Sequence, residues 1–174
     1  MTAFLATSIV TAVTGVSTGF KVSALTIKAL KKKVILPMML WHAVGSVATI
    51  VLREVSDESA AADPVRASAV VGLIGALLLE EKTAALAVYG GSFVGMSLPS
   101  RLINGRRGSS QPLSILSILV AFASAGALGG IVHGATINWK VYANGWGGKA
   151  GTCAFLGCLL YRFVSSILST ALGR

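Results

Sequence analysis

The sequence predicts an all-α polytopic integral membrane protein: a bundle of six membrane-embedded helices, five or six of them spanning, in a single domain over residues 1–174. Three observations carry this reading. Hydrophobic residues make up 54% of the chain and charged residues only 12%, where a soluble domain carries about 25% charged residues. Mean hydropathy is +0.78. The apolar content comes mainly from Ala, Val, Leu, Ile and 20 Gly rather than from aromatics. Such side chains fill a water-soluble core poorly, but they suit helices pressed together in lipid.

The first apolar segment, 2–20, starts at once with MTAFLATSIV and has about the length needed to span. It lacks the basic start and short apolar core of a cleavable signal, so it reads as a retained span. The basic stretch KVSALTIKALKKK follows, and then a second segment, 34–52, with Pro37, Trp41 and His42. The polar loop REVSDESAAADPVR ends on a helix start, with Asp63 as N-cap and Pro64 at the first helical position. The third segment, 64–79, is short, and Glu80, Glu81 and Lys82 close it. The fourth, 83–98, is also short and contains Gly90 and Gly91. PSRLINGRRGSSQP has the composition of a turn-rich loop. The fifth segment covers 113–137. NWKVYANGWGGK is a second turn-rich connection, with Trp139, Tyr142 and Trp146 suited to a membrane interface. The sixth segment, 150–172, is interrupted by Arg162.

Charge placement leaves the third segment open. With all six segments spanning, Lys and Arg divide 8 to 7 between the two sides. With 64–79 at the interface or re-entrant, five spans remain and the division becomes 10 to 5, with all six acids on the poorer side. The positive-inside rule prefers the second arrangement. The segment is nonetheless apolar enough to cross with local thinning of the bilayer.

Small residues recur every fourth position. In lipid no hydrophobic force draws helices together, so close approach through Gly, Ala, Ser or Thr must supply the contact. The first segment has Thr7, Thr11, Gly15 and Gly19, the third Ser68, Gly72 and Ala76, and the fourth Ala87, Gly91 and Gly95. The fifth has Gly126, Gly130 and Gly134 beside a second row of Ser117, Ala121, Ala125 and Gly129. These rows predict a compact bundle or an oligomer.

Two patches share an order of residues: GGSFVGMSLPSR in the fourth segment, with Gly90, Gly91, Ser92 and Gly95, and AGTCAFLGCLLYR in the sixth. Parallel repeats of this kind place binding sites where short or glycine-broken helices meet. GGSFVGMS and GWGGKAGTCAFLG resemble the fixed motifs of a bacterial-type membrane family, and the resemblance implies no activity. The run Gly147, Gly148, Lys149, Ala150, Gly151, Thr152 opens the sixth helix. Free backbone N–H groups, the helix dipole and an ammonium would converge there on an anion such as a lipid head group. It departs from a P-loop, because no Ser or Thr follows Lys149. A plain glycine turn with an interfacial lysine is the competing reading.

His42, His133 and Arg162 fall inside apolar segments, where ionisable residues are functional candidates by default. The histidines could relay protons, ligate the metal of a pigment, or simply hydrogen-bond across helices. Arg162 can snorkel to the interface. Cys153 and Cys158 are five apart, neither a redox nor a zinc spacing, and lie on different helix faces. No catalytic motif is present, so no enzymatic activity and no metal site is expected, while a cofactor or pigment on His42 or His133 is left open. The net charge of +9 is assigned to span ends and anionic lipid rather than to nucleic acid, since no basic stripe carries interleaved aromatics. Two functions remain: a permeation or transport unit for a small solute or ion, working as a homo-oligomer, and a non-catalytic subunit packed among partner subunits of a larger membrane complex.

Overall fold

A computed structural model describes residues 34–55, 63–103, 113–139 and 145–171. The described residues are helical and contain no strand. The first predicted segment, with Gly15 and Gly19, lies outside them. The helices are α1 (Ile35–Val55), α2 (Pro64–Leu78), α3 (Lys82–Gly95), α4 (Pro99–Leu102), α5 (Ile115–Ala135) and α6 (Trp146–Ala171). By length and composition α1, α5 and α6 are each long and apolar enough to cross a membrane, while α2 is a shorter apolar helix.

Local chemistry sets the helix ends. Pro37 sits in the first turn of α1, where a missing N–H costs nothing. Asp63 caps α2, accepting from Val65 N and Arg66 N at 2.9 Å each, with Pro64 at the first position. At the end of α3, Arg53 reaches across from α1 and its Nη1 donates to Gly95 O at 2.8 Å and Ser97 O at 3.0 Å. A cation thereby meets carbonyls that a helix end leaves without partners. Helix α6 starts earlier than the glycine-rich connection predicts. Gly147 and Gly148 are wound into its first turn, with Lys149 N bonded to Gly145 O.

The helix directions follow from who meets whom. Gly134 lies against Ile35, Gly130 against Met38, and Ser46 donates to Phe122 O, so α5 runs antiparallel to α1. Gly91 meets His42, Gly95 meets Thr49, and Arg53 reaches Ser97, so α3 runs with α1. Ser68 pairs with Ser92, Gly72 with Tyr89 and Gly75 with Val88, which makes α2 antiparallel to α3. On α6, Lys149 reaches the end of α5 and Gly157 meets Ala125 and Gly129, so α6 is antiparallel to α5 and parallel to α3. Because α1 and α3 point the same way, the chain must return between them, and α2 is that return. At about 1.5 Å per residue its 15 residues advance roughly 22 Å. The arrangement favoured by charge counting, with α2 as a re-entrant or surface piece, would have left α1 and α3 opposed.

Helix α1 is the axis, packed against α3 and α5, with α2 outside α3 and α6 against both α3 and α5. Contact is backbone to backbone. A Cβ added at Gly130 would fall 2.5 Å from Met38 O, and one at Gly126 would fall 2.9 Å from His42 O. Added Cβ atoms at Gly91 and Gly45 would run into the carbonyls of His42 and Val88, and one at Gly95 into the Thr49 side chain. The small apolar core combines Ile50, Val94, Leu102, Ala121, Phe122, Ala125 and Ala154. In α2 the row sits one position off the strict every-fourth pattern. Ser68, Gly72 and Gly75 are buried, whereas Ala76 is exposed. A step of four overshoots a 3.6-residue turn by about 40°, so such a row slides off the contact face.

Glycines of opposite kind give opposite outcomes. Gly130→Ala must push the Met38 backbone away and is expected to destabilise the protein by about 1–3 kcal/mol. Gly151→Ala meets nothing within 4 Å and is expected to stabilise by roughly 0.5–1 kcal/mol through helix propensity. Thermal unfolding of the two purified variants in detergent checks both signs.

Candidate functional site

Four polar residues of α1 fall in one line. His42, Ser46, Thr49 and Arg53 are spaced four, three and four apart, so they share a face. His42, Ser46 and Thr49 are each 0% exposed. A buried hydroxyl needs a partner. Ser46 donates to Phe122 O at 2.8 Å and Thr49 to Gly45 O at 2.9 Å.

His42 and His133, 91 residues apart in the chain, meet at the head of this line. Nε2 of His42 lies 2.8 Å from Nδ1 of His133, and the rings stand edge to face with centroids 5.0 Å apart. The glycines explain how they fit. A Cβ at Gly90 would fall 2.6 Å from His42 Cε1, 2.7 Å from its Nε2 and 3.4 Å from His133 Nδ1. Only a residue without a side chain leaves room for both rings at that point of α3. Gly129 borders the other ring edge of His42.

Beyond His133 the buried polar groups continue to the C-terminal end of α5. Thr136 Oγ1 donates to Val132 O at 2.8 Å and stands 3.9 Å from Cys153 Sγ. Lys149, only 4% exposed, donates from Nζ to Thr136 O at 2.9 Å and Ile137 O at 3.2 Å. A series of buried polar side chains thus follows the bundle lengthwise: Lys149 and Thr136 at one end, His133 and His42 in the middle, then Ser46 and Thr49, with the half-buried Arg53 at the far end. Ser68 and Ser92 form a side branch between α2 and α3, 2.8 Å apart, with Ser92 also donating to Tyr89 O. Among the described residues no group of three or more His, Cys, Asp or Glu is placed to hold a metal ion. The two imidazoles are bonded to each other, and the chemistry they offer is hydrogen bonding and proton exchange.

The sequence-predicted candidates divide clearly. Gly90, Gly91, Gly95, His42 and His133 come together around α1, while Ser92 faces Ser68 of α2. Gly147, Gly148, Gly151 and Thr152 do not join them. No neighbour lies within 4 Å of a Cβ added at Gly148 or Gly151, and Thr152 Oγ1 bonds to Gly148 O. The Lys149 ammonium, predicted to face an anion with the N–H groups of its own helix, is turned instead onto the carbonyls of Thr136 and Ile137, just past the end of α5. The two motif-like patches are also used differently. Gly91 presses on the His42 carbonyl, whereas its counterpart Gly151 has open space. Arg162 lies on the exposed side of α6. Cys153 is buried toward Thr136, and Cys158 is near Ser97 at 3.5 Å. Sequence reasoning missed Ser46, Thr49, Arg53 and Thr136. The spacing on α1 was a usable signal for the first three.

Against known protein families, curated proteins and solved structures, the chain matches none.

Lys149→Met keeps the length of the side chain and removes its donors. Two buried carbonyls then lose a charged partner, and the expected loss of stability is about 1.5–3 kcal/mol. Chemical unfolding in detergent followed by far-UV circular dichroism measures it.

Proposed function

We propose that this chain is a multi-pass integral membrane protein whose bundle exchanges protons at the buried His42–His133 pair. The lipid environment is supported by an inverted distribution of residues. Large apolar side chains cover the outside, among them Leu77 and Leu78 at 75% exposure and Phe163 at 65%, while His42, Ser46, Thr49, Ser92, His133 and Lys149 are buried. Water would penalise such a surface, since a soluble monomer rarely exposes so continuous an apolar patch. A bilayer solvates it and rewards inward-facing polar groups.

The single observation that carries the proton reading is the 2.8 Å imidazole–imidazole contact in a closed interior. A larger solute needs an open passage, and neither the cleft between α2 and α3 nor the one between α1, α5 and α6 is lined by a histidine. A proton needs only hydrogen-bonded groups that exchange roles. Imidazole does this, because each ring nitrogen can donate or accept. The three long helices, with α2 and α3 completing the return paths, would place the pair between the two faces of the membrane. Basic residues of the connections would meet anionic head groups, and the glycine rows would act as the packing surface that replaces a hydrophobic drive.

The second reading, a non-catalytic subunit of a larger membrane assembly, draws on the outer apolar faces of α2 and α6. Phe155, Leu159, Phe163 and Ile167 are all at least 47% exposed. In that case the histidine bond would serve only to lock α1 to α5.

Proton flux into liposomes holding the purified chain, read with an internal pH-sensitive dye under an imposed potential, separates the two. Wild type is expected to conduct, His42→Phe to fall to the level of protein-free liposomes, and Gly151→Ala to conduct as wild type. Equal flux in wild type and His42→Phe would end the proton reading, and stable co-purifying membrane partners would favour the second.

A further inference from the structure

His42 is completely buried, and its Nε2 is used by His133. Its Nδ1 has no hydrogen-bond partner among the described residues. An unpaired buried nitrogen costs roughly 1–3 kcal/mol. Native interiors seldom leave one so, and when they do a bound water is a common answer. The surroundings of this nitrogen are specific. The bare face of Gly129 lies against it: a Cβ there would stand 3.4 Å from His42 Nδ1 and 3.2 Å from the carbonyl oxygen of Cys153 on α6. Three helices therefore bring a nitrogen, a carbonyl oxygen and the bare Cα of Gly129 to one point.

We propose that this point is a binding site for a single water molecule, held between His42 Nδ1 and Cys153 O over Gly129. Water fits better than any fixed protein donor because the site must serve two states. When the shared proton sits on His42 Nε2, Nδ1 is a bare lone pair and takes a hydrogen from water. When it sits on His133 Nδ1, His42 carries its hydrogen on Nδ1 and gives that bond to the water oxygen. In both states the other water hydrogen points to the Cys153 carbonyl, which retains a free lone pair beside its helix bond. The water thus keeps His42 Nδ1 hydrogen-bonded in either tautomer of the neutral pair. This inference rests on the proton reading for its purpose but on the geometry alone for its existence.

The test uses the full chain in liposomes, labelled with nitrogen-15 at histidine and carbon-13 at the cysteine carbonyl, and magnetisation transfer from water observed by solid-state NMR. Wild type is expected to show transfer to both His42 Nδ1 and the Cys153 carbonyl. Gly129→Ala, whose methyl would stand at that point, is expected to lose both signals to the noise level while keeping the His42–His133 bond. Absence of transfer in wild type overturns the proposal, and so does undiminished transfer in a folded Gly129→Ala. If that variant fails to fold, the wild-type result decides alone: transfer to both atoms supports the site, and transfer to only one overturns it. Water found without proton flux in the liposome assay would remove the conduction reading and leave the site standing.

Discussion

The bundle depends on how near α3 and α5 come to α1. Glycine at 91, 126 and 130 lets three backbones touch, and every polar contact of the interior is scaled to that distance. An imidazole bond of 2.8 Å between α1 and α5 and a serine bond of 2.8 Å between α1 and an α5 carbonyl exist only because the helix axes are close. In the lipid environment proposed above, such association would lack a hydrophobic drive, and packing contact and weak interhelical bonds would have to suffice. Small residues do more here than make contact. They set the separation at which short polar side chains can satisfy one another.

The same closeness explains why the interior tolerates so many polar groups. Each hydroxyl of the α1 row has a carbonyl within reach, either one turn back in its own helix or on α5. Two cations are handled likewise, each by a pair of carbonyls where a neighbouring helix ends. Among the described residues two buried side-chain nitrogens stand outside this pairing, His42 Nδ1 and Arg53 Nε, and His42 is the one that is wholly buried.

Much of this was legible in the chain. The Asp63–Pro64 start of α2 follows from capping chemistry, and the glycine rows of the fourth and fifth segments fall on helix faces as their spacing implies. Both histidines stand out as ionisable residues in apolar runs. Their pairing was not legible, because spacing within a helix says which face a residue occupies and never which other helix that face will meet. Lys149 illustrates a second limit. Read locally, it crowns a glycine-rich helix start and invites an anion; in three dimensions the end of α5 lies within its reach and takes the ammonium. The direction of α2 illustrates a third. Charge counting compares totals on two sides, whereas the Ser68–Ser92, Gly72–Tyr89 and Gly75–Val88 contacts fix the course of one helix directly.

The carbonyl clasps of Arg53 and Lys149 sit at opposite ends of the bundle, one closing α3 from α1 and the other closing α5 from α6. Helix ends ordinarily fray first. Here the two ends nearest the imidazole line are the ones fastened, while α2 and the latter half of α6 carry long exposed stretches. Unravelling therefore begins at the periphery and reaches the histidines last. Amide exchange would rank the elements in that order, with the slowest protons on α1 and the facing turns of α5.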